Sequence, residues 1–101
     1  MKFQAEFDKM KEVWGEDAQV LVAIEELGEL VQALVKYLRL KQNKSGVRDA
    51  DMKKIIAHIQ EESADVLNCV KQMAQMFGMA EVQKIRGEKV ERTMKIIEGL
   101  K

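Results

Sequence analysis

DAQVLVAIEELGELVQALVKYLRLK, residues 17–41, is the stretch on which the fold turns. At about 100° of rotation per residue, Val20, Ile24, Leu27, Val31, Leu34 and Leu38 fall on one face of a helix. The other side carries Val22, Ala33, Tyr37 and Leu40, and there Glu26 and Glu29 interrupt the apolar surface. A helix that is apolar on two faces has to be covered on two faces. The expectation is therefore an all-α protein in which this helix is packed from both sides.

The flanking sequence supplies the partners. A first helix is expected over about residues 3–13, stopping near Trp14-Gly15, with Asp17 as N-cap of the second. QNKSGVRD, residues 42–49, reads as the one loop, with Asn43, Ser45 and Gly46 as turn formers. A third helix is expected from about residue 50 to 77, ended by Gly78 as a C′ glycine. The fourth runs from about residue 79 to 99. Together they make residues 1–101 a single four-helix domain.

The third helix repeats the anomaly of the second. Ile55, Ile59, Val66, Cys69, Val70, Met73 and Phe77 form its apolar stripe, and Glu62 falls inside that arc. Asp65 stands one turn on at the edge, with Glu61 and Asn68 further toward the polar side. Glu26/Glu29 and Glu62/Asp65 are both i,i+3 pairs, so each projects two carboxylates together. Two unit charges about 4 Å apart repel by about 4 kcal/mol at an effective dielectric of about 20. Converging acids among apolar residues therefore need protons or cations. An all-oxygen donor set selects Mg²⁺, with Mn²⁺ as a substitute.

The fourth helix has the opposite sign. Lys89 and Arg92 lie i,i+3 apart on the stripe of Val82, Ile85, Ile96 and Leu100, while Val90, Met94 and Ile97 form a second strip suited to a partner. Cations facing inward beside an acidic metal site suit a polyphosphate. They equally suit salt bridges to Glu62 or Asp65. His58, at a stripe edge, reads as a packing or surface residue, and Cys69 as core. Trp14 reads as a cap on the core at the first helix junction, or as a stacking surface for a base.

Composition narrows the function classes. Lys and Arg total 17 against 17 for Asp and Glu, so the chain has no general pull on nucleic acid or on a membrane surface. There is no proline, and aromatic residues make up 5%. A lone cysteine leaves no intrachain disulfide. The first residues hold no apolar signal segment, and no run reaches membrane-span length, so the expected location is cytoplasmic. A di-iron carboxylate bundle is set aside, since no Glu-x-x-His occurs.

At these residues the chain resembles the MazG-like nucleoside triphosphate pyrophosphohydrolases of the all-α NTP pyrophosphatase group. Glu25-Glu26-x-x-Glu29 is similar to that family's first motif and Glu62-x-x-Asp65 to its second. KIRGEKVERTMKII resembles the basic closing helix, with Lys89 and Arg92 at the matching places. One departure is the longer spacing between the motifs, where KQNKSGVRDADMKK (residues 41–54) is extra. The resemblance implies a four-helix MazG-like bundle assembled as a dimer or dimer of dimers. It implies Mg²⁺ on Glu26, Glu29, Glu62 and Asp65, and hydrolysis of (d)NTP to (d)NMP and pyrophosphate in nucleotide-pool house-cleaning. In that reading Glu25 or Glu61 orients the water, and Lys89, Arg92, Asn68 and Trp14 contact the nucleotide. The alternative is a non-enzymatic, all-helical dimeric interaction module, which needs the apolar strips but not the four acids together.

Overall fold

The computed structural model describes residues 2–43 and 45–100; Met1, Lys101 and Lys44 of the expected loop lie outside them. Among the described residues there are four helices and no strand: α1 (Gln4–Trp14), α2 (Glu16–Lys41), α3 (Asp49–Phe77) and α4 (Met79–Gly99). All four expected elements are present. α2 is capped two residues earlier than expected, with Gly15 (φ 89°) as N-cap and no side-chain cap. Asp17 therefore does not cap it, but stands in the first turn, where its charge suits the helix dipole.

α2 and α3 make the most extensive contact in the molecule, joined by the short loop after Lys41. They run antiparallel: Glu26 neighbours Asp65, Glu29 neighbours Glu62, and Leu40 shares a cavity with Asp51. The contact is a 4-3-4-3 seam. On α2 it runs Gln19, Ala23, Glu26, Leu30, Ala33, Tyr37, Leu40; on α3 it runs Ile55, Ile59, Glu62, Val66, Cys69, Met73, Met76. Each of these residues is buried or half-buried. This is the spacing of a two-helix coiled coil, which keeps one face of each helix turned to the other.

The seam decides which face of α2 meets α3. Its face toward α3 is the one that carries the acids. Ile24 and Val31, from the uninterrupted apolar stripe, are 62% and 60% exposed, and Leu27, Leu34 and Leu38 are exposed as well. Periodicity marked both faces as apolar. It could not say which one α3 would take, and the small Ala23 and Ala33 allow the closer approach on the acidic side.

α1 folds back on this hairpin. Phe7 is buried, the Gln72 Nε2 donates to Met10 Sδ at 3.1 Å, and Gln75 Nε2 donates to Asp8 and to the Gln4 carbonyl. Trp14 is 64% exposed and does not cap the core.

At the other end of α3, Gly78 (φ 121°) closes the helix, its N–H donating to the Ala74 carbonyl at 2.8 Å, and redirects the chain into α4. No residue of α4 is buried. Its stripe of Val82, Ile85, Ile96 and Leu100 does not face an interior, contrary to expectation; all four are exposed. Within one chain the fourth helix is an arm and not a bundle member. The radius of gyration is 17.7 Å, against about 13 Å for a compact chain of about 100 residues. No helix of the described residues is long and apolar enough to cross a membrane.

Because Gly78 occupies a left-handed conformation with open space around its missing Cβ, Gly78→Ala should cost backbone strain alone. The expected loss is about 1–2 kcal/mol, read as a lower urea midpoint with an unchanged slope.

Candidate metal centre

Glu26 from α2, with Glu62 and Asp65 from α3, each offer a carboxylate oxygen within 4.8 Å of the others. The antiparallel seam creates this cluster: it sets the i,i+3 pair of one helix opposite that of the other. Glu62 is only 7% exposed, Glu26 is half-buried, and Asp65 is the more open to solvent.

The buried oxygens Glu26 Oε2 and Glu62 Oε2 have no hydrogen-bond partner. An acceptor left alone in the interior is costly, and an ionised one more so. The proton affinity of the carboxyls rises accordingly. Burial, followed by the charges of Glu29, Asp65 and Glu62, pushes the Glu26 carboxyl above its ordinary range. Burial, followed by the adjoining Glu29 carboxyl, pushes Glu62 up, against an opposing pull from His58. Glu29 itself is exposed and sits beside the triad, close enough to share a proton with Glu62.

A divalent cation removes both the repulsion and the orphaned acceptors. Glu26, Glu62 and Asp65 are the residues that would hold such an ion, which would supply the positive charge the cluster lacks. The donor set is all oxygen, which suits a hard ion better than a soft one.

Two cavities flank the carboxylates. The first, about 500 Å³, is bounded by Trp14, Phe7 and Met10 of α1, Gln19 and Val22 of α2, and Asn68 and Gln72 of α3; Glu26, Asp65 and Cys69 line it too. It is of ligand size and largely apolar, with a few polar groups. Trp14 and Asn68 thus share this cavity with Glu26 and Asp65. Cys69 is buried, and burial, then Glu26 and Asp65, raise its thiol, which makes it a poor nucleophile. The second cavity lies on the other side, along Lys36 and Leu40 of α2 and Asp51, Lys54, His58 and Glu61 of α3. Glu25 is exposed on α2 beside Glu26.

Lys89 and Arg92 are not brought to the acids within one chain. They line a shallow cavity with Ile85 and Glu88 on the exposed α4. Sequence reasoning also passed over Gln19 and Gln72, both buried beside the first cavity. The available signal was a glutamine, Gln19, at a seam position otherwise held mostly by apolar residues. No protein-family model, no curated protein and no solved structure matches the chain.

A carboxyl raised in the folded state contributes stability that is present below its unfolded pKa and lost as pH rises through its folded one. With a chelator present, the melting temperature should therefore rise as pH falls from 8 toward the ordinary carboxylate range, insofar as Glu26 and Glu62 govern it. Glu62→Gln should flatten that rise and stabilise the metal-free protein at neutral pH. A melting-temperature series against pH for both proteins checks this.

Proposed function

We propose that the chain is a Mg²⁺-dependent, MazG-like nucleoside triphosphate pyrophosphohydrolase, converting (d)NTP to (d)NMP and pyrophosphate in nucleotide-pool house-cleaning. The observation that carries this reading is the pair of buried, partnerless oxygens on Glu26 and Glu62, grouped with Asp65 beside a ligand-sized aromatic cavity. The motif order Glu25-Glu26-x-x-Glu29 and Glu62-x-x-Asp65 supports it, since Glu26 of the first lies with Glu62 and Asp65 of the second.

A bound divalent ion supplies positive charge to phosphate oxygens and a water of lowered pKa. The remaining tasks fall to side chains. Glu26, Glu62 and Asp65 hold the ion, and Glu29 completes the set. Glu61, exposed beside the triad, orients the attacking water by accepting its hydrogen bond; Glu25 is the other carboxylate placed for that task. The water oxygen bonds to the α-phosphorus, and the bond from that phosphorus to the α–β bridging oxygen breaks. Pyrophosphate leaves with that oxygen, and the water proton passes to the carboxylate and on to solvent. Trp14 and Phe7 offer ring faces to a base, Gln19 and Gln72 offer amide donors and acceptors to its edge, and Asn68 sits nearest the acids.

The assembly belongs to the same reading. Ile24, Leu27, Val31, Leu34 and Leu38 on α2, with Val90, Met94 and Ile97 on α4, are exposed apolar surface too extensive for a free monomer. A homodimer, or a dimer of dimers, covers it. A second copy's α4 lying over the groove is also how Lys89 and Arg92 reach a phosphate. The same surface suits a non-enzymatic helical module, which the acids distinguish: only the enzyme reading gives a reason to bury them.

Incubation of a (d)NTP panel with Mg²⁺ should release pyrophosphate and a monophosphate, resolved by chromatography. Release of orthophosphate and a diphosphate would place the chemistry elsewhere. Glu26→Gln, Glu62→Gln and Asp65→Asn should each abolish turnover while the metal-free protein keeps its fold, and the wild-type melting temperature should rise with Mg²⁺. Sedimentation at micromolar concentration should show a dimer or larger species, and a stable monomer would overturn the assembly.

A further inference from the structure

The carboxylates lie between two largely apolar cavities on one side of the α2–α3 hairpin, one carrying aromatic rings and the other lysines. Glu26 and Asp65 border the aromatic one, and Glu61 borders the other. The second, about 670 Å³, collects Lys36 from α2 and Lys54 and His58 from α3. Of its two acids, Asp51 is already engaged: Arg48 Nε and Nη2 donate to its two oxygens at 2.8 and 3.1 Å. Among the described residues, Lys36 and Lys54 make no ion pair.

Helix geometry sets the spacing. His58 stands one turn before Glu62, and Lys54 one turn further, about 6 and 12 Å along the axis. Lys36 follows Glu29 by two turns, about 10 Å. An extended diphosphate and a lysine side chain together cover that distance. The lysines and the aromatic pocket thus lie on opposite sides of the acids, and a ligand spanning both would cross the acidic triad at its middle. Asp51 and Lys54 of the basic cavity come from the first two turns of α3, within residues 41–54.

Building on the pyrophosphohydrolase reading, we infer that Lys36, Lys54 and His58 form the subsite for the departing β,γ-diphosphate. The groove is therefore directional: base against Trp14, α-phosphate at Glu26, Glu62 and Asp65, pyrophosphate toward the α2–α3 loop. Lysine ammonium groups neutralise the charge that accumulates on the leaving group as the α–β bond breaks. These residues come from the same chain as the acids, so the subsite needs no second copy. Lys89 and Arg92 serve, at most, as an addition from a partner.

The test uses Lys36→Ala/Lys54→Ala, two exposed positions whose loss leaves the seam intact. Binding of inorganic pyrophosphate, and of AMP, CMP, GMP and UMP, is measured by calorimetry in Mg²⁺ for wild type, this variant and Trp14→Ala. The double variant should bind pyrophosphate about ten-fold or more weakly, the scale of lost charge-assisted contacts, with monophosphate affinity kept within about two-fold. Trp14→Ala should do the reverse. Unchanged pyrophosphate affinity in the double variant, or equal weakening of both ligand types, overturns the subsite. If the wild type still releases pyrophosphate from a triphosphate in that event, only the groove assignment fails. If the wild type neither binds nor releases pyrophosphate, the enzyme reading fails and the subsite falls with it.

Discussion

Everything in this molecule depends on a like-charge problem placed inside a helical seam. The antiparallel α2–α3 pair repeats at four and three residues, and at the middle of each strip the apolar residue is replaced by a glutamate. A coiled coil tolerates a polar residue at such a position at a cost in stability. Two facing acids with a third beside them go further, because one buried oxygen of each glutamate has no hydrogen-bond partner. The apo state keeps the arrangement by raising the acids' proton affinity. A cation would use the same geometry with the protons removed. Local rules are broken in this way mostly where function requires it.

Small residues make the arrangement possible. Ala23 and Ala33 stand before and after Glu26 on the seam, both buried, and let the helices approach closely enough to bring the acids together. α1 then closes one end. Its glutamine contacts from α3 hold Met10 and Phe7 over the hairpin, so the aromatic cavity arises at the junction of three helices and directly beside the carboxylates. Toward the loop end of the hairpin the second cavity is instead lined by Lys36, Lys54 and His58 beside Leu40 and Ile55.

The outer surface tells the complementary part of the story. Having turned its acidic side to α3, α2 presents its uninterrupted apolar stripe to solvent, and α4 leaves the hairpin at Gly78 with no side buried. A single chain of this size buries only a thin core, with Phe7 the one large side chain among its buried apolar residues. The apolar faces of α2 and α4 therefore add nothing to that core within one chain.

The sequence by itself determined the four helices to within a residue or two, because 3.6-residue periodicity, the lack of proline and the glycines at 15 and 78 are local properties. It also marked Glu26, Glu62 and Asp65, since an acid within an apolar stripe is anomalous whatever it packs against. Tertiary structure alone decided which face of α2 meets α3. Both faces were apolar enough, and the choice rests on the fit between two surfaces, which one helix does not encode. The same holds for α4, whose cations read as inward-facing until the turn at Gly78 carried them away from the acids. Lys36 and Lys54 stand 18 residues apart in sequence, each an ordinary lysine on a helix, and become a cluster only because the chain reverses between them.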